Sequence, residues 1–471
     1  METNTVNVQT VKSEGTVPNS NSIKDSLGSD SIFPATIDLR WHLLQKSKIS
    51  IQSKYASALT YIISSFLSKG ICSQDTGKYI LARLQHYQAQ LFSDVIKEPV
   101  NQKEATKCLR YLTVLWRRKY WLALLCDISL VIHEKSLVME AYEIVKTIVN
   151  SKRQQDIGQM IRILYSDGIF EKKHLPSLPL IYQIQKNDKF FQQEERRLII
   201  TANMSAGKST LINALIGKPV ARTSQEVCTG GVCYLYNKPD EDEQIALETN
   251  TITLNASEED LCKYEWDGHI SMASYFKRTS GHVPRLCIID TPGVDAALYK
   301  VHSERAHNAL LNDMYNLVLY VVNPTRLGTD AEKKHLKWIA HNLQDKKIIF
   351  VLNKLDEYRD YSDSISESID GLREDLLKAG FKNPLICPIS AYFSYLIKLK
   401  MAGVTLSEDE EDEYAVYAKK FMRSSYDLSS YYDGVQCSPN DSEEIVLSKH
   451  AGLYGLEKII YGEMNYEKDI Y

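Results

Sequence analysis

Leu198-Ile199-Ile200-Thr201-Ala202-Asn203-Met204-Ser205-Ala206-Gly207-Lys208-Ser209-Thr210-Leu211-Ile212-Asn213-Ala214-Leu215 is the stretch that settles how the chain is read. An apolar run ends at Ala202, a loop of mostly small residues follows, and a helical run begins at Lys208-Ser209-Thr210. Strand, tight loop and helix in that order make a phosphate-binding P-loop. Small side chains let the N–H groups of Asn203, Ser205, Ala206, Gly207 and Lys208 turn inward on phosphate oxygens, and the helix adds its positive end at Thr210. Lys208 then contacts the β and γ phosphates, and the Ser209 hydroxyl is an oxygen ligand for Mg2+. Ala202 stands where a glycine is usual, which is tolerable if it keeps strand geometry.

Three further boxes follow in order. Leu286-Cys287-Ile288-Ile289-Asp290-Thr291-Pro292-Gly293 ends an apolar run in D-T-P-G, where Asp290 would hold Mg2+ through water and the Gly293 amide would sense the γ-phosphate. Ile348 to Leu352 delivers Asn353-Lys354-Leu355-Asp356. Guanine offers two adjacent donors that one carboxylate accepts as a pair, so Asp356 selects guanine, with Lys354 along the base plane. Leu385 to Ile389 delivers Ser390-Ala391, whose backbone is expected to offer an N–H to the guanine O6. Four boxes at four strand ends make GTP the expected nucleotide. From Lys208 to Asp290 is 82 positions, room for the extra runs Val232 to Tyr236, Ile245 to Thr249 and Thr251 to Leu254. Thr223 to Gly231 is where a first switch falls, and Thr229, before a Gly-Gly hinge, is preferred to Thr223 and Thr210 as the hydroxyl that ligates Mg2+.

The rest of the chain bounds the possibilities. Its 471 residues, 44% hydrophobic and 25% charged, suit a soluble chain of three domains or fewer. With a net charge of −4 there is no general positive field, so nucleic acid is not expected as a partner. The most apolar stretch, Trp121 to Ile132, contains Asp127 and is far short of the roughly 20 residues a membrane span needs. Residues 1–30 carry no secretory pattern, which suggests a cytoplasmic protein, and their Ser, Thr, Asn and Asp content suggests a disordered tail. Nine cysteines without a C-x-x-C pair read as reduced thiols rather than a metal site.

The expected fold class is α/β. A P-loop GTPase domain at 191–400, with a mostly parallel sheet covered by helices on both faces, is preceded by an all-α helical region at 31–190. The helical spacing of Ile51, Tyr55, Leu59, Ile62 and Phe66, and of Val138, Tyr142, Val145 and Val149, supports four or five helices there, with breaks at Gly70, Pro99 and Lys135. Thr329-Asp330-Ala331-Glu332 reads as a capping box, and a helix through Ile365, Ile369, Leu372 and Leu376 stops at Gly380. Residues 401–446, with the acidic run Ser407 to Glu413, read as a solvated loop or insert, and 447–471 as a C-terminal helix. The aromatic and basic stretch Tyr111 to Trp121 reads as a helix with one wet face rather than a lipid-binding patch.

At the P-loop, the D-T-P-G box, Leu319 to Asn323 with Leu327-Gly328-Thr329, Phe350 to Asp356 and Pro388 to Ala391, the chain resembles a bacterial member of the dynamin family of large GTPases. The likeness covers roughly residues 195 to 395, and Ser448 to Ile460 resembles the helix that leads such G domains back to their helical bundle. The resemblance implies hydrolysis of GTP to GDP and phosphate with Mg2+, and a homodimer formed by G domains across the nucleotide. It also implies catalytic roles for Ser205, Lys208 and Thr229, and membrane remodelling at a peripheral membrane contact. Met204 stands where eukaryotic dynamins place a glutamine, and Val294 follows Gly293, so catalysis is expected to rest on backbone groups, Thr229, Ser205 and a bound monovalent cation or a group supplied in trans. No apolar tip is evident in the sequence, which keeps open a second reading, a GTP-gated scaffold whose helical region binds a protein partner.

Overall fold

A computed structural model of the protein describes residues 34–92, 101–166, 168–221, 231–263, 270–283, 285–294, 300–359 and 363–463. The first part is helical: α1 (Ile49–Leu67), α2 (Gln74–Leu91), α3 (Gln102–Leu112), α4 (Arg118–Ile132), α5 (Lys135–Ile148), α6 (Ser151–Tyr165) and α7 (Leu178–Phe191). That is more than the four or five helices the sequence suggests. The added breaks come from a 3-10 turn at Leu115–Arg117 and from extended Val149 followed by Asn150, whose side chain accepts the Arg153 amide and caps α6. The expected spacing is realised, with Tyr55, Leu59, Ile62 and Phe66 fully buried against Val138, Tyr142 and Val145. Inside this apolar core lies the carboxylate of Asp127, which accepts from Tyr55 at 2.5 Å and Tyr87 at 3.1 Å and sits 3.0 Å from His42 Nε2.

The stretch Tyr111 to Trp121 is not one helix. Its centre is the 3-10 turn, which lifts Leu115 (71% exposed) and Trp116 (76% exposed) clear of the bundle.

The second part runs β1 (Arg196–Ala202), α8 (Lys208–Ile216), β2 (Cys233–Asn237), β3 (Ala246–Glu248), β4 (Ile252–Thr253), α9 (Glu258–Lys263), β5 (Ile270–Ser274), β6 (Leu286–Asp290), α10 (Lys300–Asn312), β7 (Leu317–Val322), α11 (Asp330–Asn342), β8 (Ile348–Leu352), α12 (Ile365–Ala379), β9 (Leu385–Pro388) and α13 (Ala391–Met401). The strands form one nine-stranded sheet in the order β4-β3-β5-β2-β6-β1-β7-β8-β9. From β6 to β9 every pairing is parallel, whereas β2 runs antiparallel to β6, and β3 antiparallel to both β4 and β5. Side chains alternate along each strand. Ile199, Ile289, Val318, Tyr320 and Phe350 face the layer of α10 to α12, and Leu198, Ile200, Ile288, Leu319 and Val351 face α8, against which α13 packs. Burial on both faces is why these strands read as unbroken apolar runs.

Residues after α13 correct two expectations. The acidic run is the first turns of a helix, α14 (Glu408–Phe421), with a complete capping box between Ser407 and Glu410. Four carboxylates in a first turn suit the positive end of a helix, so acidity and helicity do not conflict. The final segment is two helices, α15 (Glu443–His450) and α16 (Leu453–Glu463). Leu453, Leu456 and Ile460 of α16 are buried in the G domain beside α8 rather than in the N-terminal bundle. A fully buried ion pair fixes that docking, Lys398 to Glu457 at 2.7 Å, with the Leu215 carbonyl and the Thr279 amide also engaged.

Candidate functional site

The P-loop leaves β1 at Ala202, which does keep strand geometry, and enters α8 through Gly207 at φ +85°. Ser205 is also left-handed, at φ +62° and exposed. A non-glycine residue in that region is strained, and the strain turns the loop's amides toward one concave side. Gly207 has a second requirement: a Cβ there would come within 2.4 Å of Asn353 Nδ2.

Three carboxamides anchor the loop. Asn353 donates to the Ala206 carbonyl at 2.9 Å and accepts the Ala391 amide at 2.9 Å, tying P-loop to base loop. Asn323 donates to the Ser205 carbonyl at 3.2 Å. Asn203, itself in the loop, donates to the carboxylate of Glu332. Glu332 is 3% exposed, and its other oxygen accepts the Tyr320 hydroxyl at 3.0 Å. His335 Nδ1 lies 3.0 Å from that hydroxyl, which gives the sequence His335 to Tyr320 to Glu332 to Asn203. Burial raises the Glu332 pKa and lowers that of His335 to about 3, so the imidazole is neutral; because the Tyr320 hydroxyl already donates to Glu332, its oxygen accepts when His335 carries its proton on Nδ1. This replaces the capping box expected at Thr329: the Thr329 hydroxyl accepts the Glu332 amide at 3.4 Å, but the Glu332 carboxylate goes to the P-loop.

Lys208, buried, forms an ion pair with Asp290 at the end of β6, two strand ends that parallel pairing of β1 and β6 brings together. Met204 packs on Gly293, where an added Cβ would lie 3.2 Å from Met204 Cγ. The oxygen donors Ser209 and Asp290 beside the P-loop match the hard-cation chemistry of Mg2+, which keeps several waters and takes phosphate oxygens as further ligands. Thr229 and Thr223 lie outside the described residues.

On the guanine side, Lys354 is left-handed at φ +64° and Asp356 sits in the 3-10 turn Leu355–Glu357. The Ser390 hydroxyl donates to Asp356 Oδ1 at 2.6 Å. Burial raises the Asp356 pKa, and the Ser390 hydrogen bond works against that rise. Both backbone amides expected to face the guanine O6 have partners within the chain. Ser390 N–H donates to the Ala451 carbonyl at 3.1 Å, and Ala391 N–H to Asn353, because the loop is closed by its own neighbours. What the sequence missed is α14: Lys420 donates to the Asp356 and Tyr358 carbonyls, both at 2.6 Å, and Phe421 stacks on Phe393 at 5.3 Å. Ser407-x-x-Glu410 followed by Tyr414 and Phe421 was the available signal.

Residues 198–355 match the dynamin family. The G domain of this chain is a dynamin-type GTPase domain. The match runs from Leu198 within β1 to Leu355, so the P-loop, the D-T-P-G box and the start of the base box lie in it together. A curated relative, described as a probable transmembrane GTPase, FZO-like and chloroplastic, from Arabidopsis thaliana, is 26% identical over 215 residues, 45% of this chain. The chain spans about a fifth of that relative's length, the matched part being 21%. Among solved structures, Aquifex aeolicus Era bound to GDP and AlF4− is 18% identical, covering 46% of this chain and 59% of that one, with a TM-score of 0.26. Toc33 from Arabidopsis thaliana with GDP and Mg2+ is 17% identical, covering 44% and 78%, with a TM-score of 0.28. No helix among the described residues is long and apolar enough to cross a membrane.

Proposed function

We propose that this dynamin-type domain hydrolyses GTP, that pairing of two G domains across the nucleotide completes the site, and that the helical bundle transmits the result. On binding, Lys208 exchanges Asp290 for the β and γ phosphate oxygens, while the amides of residues 205–208 cradle the β-phosphate. Ser209, Asp290 and Thr229 would hold Mg2+, which when bound neutralises charge on the β and γ oxygens. Asp356 accepts the two guanine donors, and Ala391 N–H turns from Asn353 to the O6. Water attacks the γ-phosphorus, the bond to the β–γ bridging oxygen breaks, and GDP, phosphate and a proton leave.

The observation that carries pairing is Met204 on Gly293, beside Ser205 at the exposed rim. A thioether cannot orient water, so the polar groups still needed are Thr229, a monovalent cation near Ser205, or a group from the second G domain. Light scattering of the chain alone, with GDP and with GDP plus aluminium fluoride tests this. A dimer confined to the last condition is expected; a monomer in all three would refute pairing.

We read the output as remodelling of a membrane by a cytoplasmic protein that binds it peripherally. The exposed Leu115–Trp116 turn favours that reading. The alternative, a GTP-gated scaffold for a protein partner, draws support from α16, which packs on the G domain and leaves no second half of a long stalk among the described residues. Vesicle co-sedimentation with and without a GTP analogue separates the two.

A further inference from the structure

We infer that the end of the helical bundle formed by the start of α1 and the α3–α4 turn is a docking surface for a bilayer carrying anionic headgroups; the inference rests on the membrane reading above and names its site. Two parts of the chain meet there. Lys54 of α1 lies over the Tyr111 ring of α3 at 4.6 Å, and Ser47, just before α1, donates to the Tyr120 hydroxyl of α4 at 3.1 Å. Antiparallel packing of α1 on α3 therefore sets Lys46, Lys48 and Ile49 beside the turn that carries Leu115 and Trp116.

The apolar content of this end faces outward. Ile49 is 73% exposed, Leu115 71% and Trp116 76%, whereas the neighbouring Leu112 and Trp121 are buried. Three large apolar side chains at one end would cost solubility unless an interface takes them up, and an indole beside cations suits the headgroup layer of a bilayer.

The charge has one sign. No Asp or Glu occurs in residues 39–74 or in 105–126, while the second span alone holds Lys107, Arg110, Arg117, Arg118 and Lys119. This contrasts with the net −4 of the whole chain. Asp156, a carboxylate close to the turn, is buried and already engaged by Arg118, by Arg153 at 2.8 Å and by Trp121 Nε1 at 3.2 Å. Arg117 lies over the Tyr111 ring at 3.5 Å and Lys119 over Tyr120 at 5.0 Å, so both are held at the turn without a carboxylate partner among these contacts. Cations around an apolar wedge complement anionic lipid, and an indole seats in the headgroup layer.

The test is sedimentation of the full chain with vesicles of phosphatidylcholine alone and with about 30% phosphatidylserine, at low and at physiological salt. Three proteins are compared: wild type, Leu115→Ser with Trp116→Ser, and Arg110→Gln with Lys119→Gln. All altered residues are exposed or half-exposed and none lies in the G domain, so GTP turnover without vesicles serves as the folding control. Wild type is expected on the anionic vesicles only, more weakly at higher salt, with each variant about tenfold or more weaker. If wild type binds vesicles and the variants bind as well as it does, the site is wrong while the membrane reading stands. If wild type binds neither vesicle, or binds both equally, the inference is overturned; the first of these outcomes removes the membrane reading as well.

Discussion

Glu332, the third residue of α11, holds the carboxamide of Asn203 in the P-loop, 129 positions earlier in the chain. Because the Asn203 Nδ2 is fixed on that carboxylate, its Oδ1 has a set direction, and this oxygen is buried with no partner among the described residues. A helix that packs against β7 therefore orients an atom of the P-loop.

Glu332→Ala is expected to slow turnover about ten- to a hundredfold while GDP affinity changes little, since the loop's backbone cradle survives. Single-turnover kinetics with nucleotide titration measure the split. The pH profile adds a second readout. Both hydrogen bonds to Glu332 need an acceptor, so activity falls as pH drops through its raised pKa, above the ordinary carboxyl range. Glu332→Gln should abolish that acid limb; a variant with an unchanged limb would mean another group titrates.

The base pocket predicts a swap in specificity. Asp356→Asn should lose GTP and gain xanthosine triphosphate, because xanthine presents an acceptor where guanine has its amine. Lys208→Ala should abolish binding of either. Lys420→Ala, remote in sequence, should weaken guanine nucleotides several-fold by freeing the carbonyls of Asp356 and Tyr358, about 1 kcal/mol. Calorimetry with GDP, GTP and XTP decides all three.

How much of this was legible in the sequence follows from what each residue interacts with. Strands β1, β6, β7, β8 and β9 lie where the apolar runs place them, since burial on both faces leaves a continuous signature, and the loops at their ends announce themselves by residue type. A capping box is a local rule, and at Glu332 the long-range donors Tyr320 and Asn203 outcompete the helix's own amide for its carboxylate. The run Ser407 to Glu413 reads as a loop by its charge alone, and the Ser407–Glu410 cap is what makes it the start of α14. The exposed Leu115–Trp116 turn was hidden because helical spacing runs through it, and only the 3-10 break turns those side chains outward. Nothing local in sequence could show that α16 docks beside α8, a contact made by a buried Lys398–Glu457 pair.

Asp127 should be costly to remove. Asp127→Ala leaves the buried hydroxyls of Tyr55 and Tyr87 and the ring of His42 without their acceptor, a loss of about 3–5 kcal/mol. Urea unfolding followed by far-UV circular dichroism, which the bundle helices dominate, measures it. A change under about 1 kcal/mol would mean the cluster is not a structural keystone.

Acid should destabilise the chain earlier than carboxylates alone would dictate. Burial lowers the pKa of His86 to about 4 and those of His133 and His335 to about 3, from an ordinary 6.5. The unfolded chain then takes up protons that the folded chain refuses. Stability from these groups is complete above pH 6.5 and is lost as pH falls from there toward 3, by up to about 1.4 kcal/mol per pH unit for each histidine. Thermal melts between those limits should show Tm falling from just below pH 6.5; a flat Tm down to pH 5 would contradict it.

The most direct measurement is GTP turnover per active site as protein concentration rises from about 0.1 to 10 μM, with excess GTP and Mg2+. If two G domains complete one another's site, the rate per site climbs several-fold and then levels off. A rate per site that stays flat across that range contradicts the account, because each chain would then hydrolyse GTP with its own residues alone.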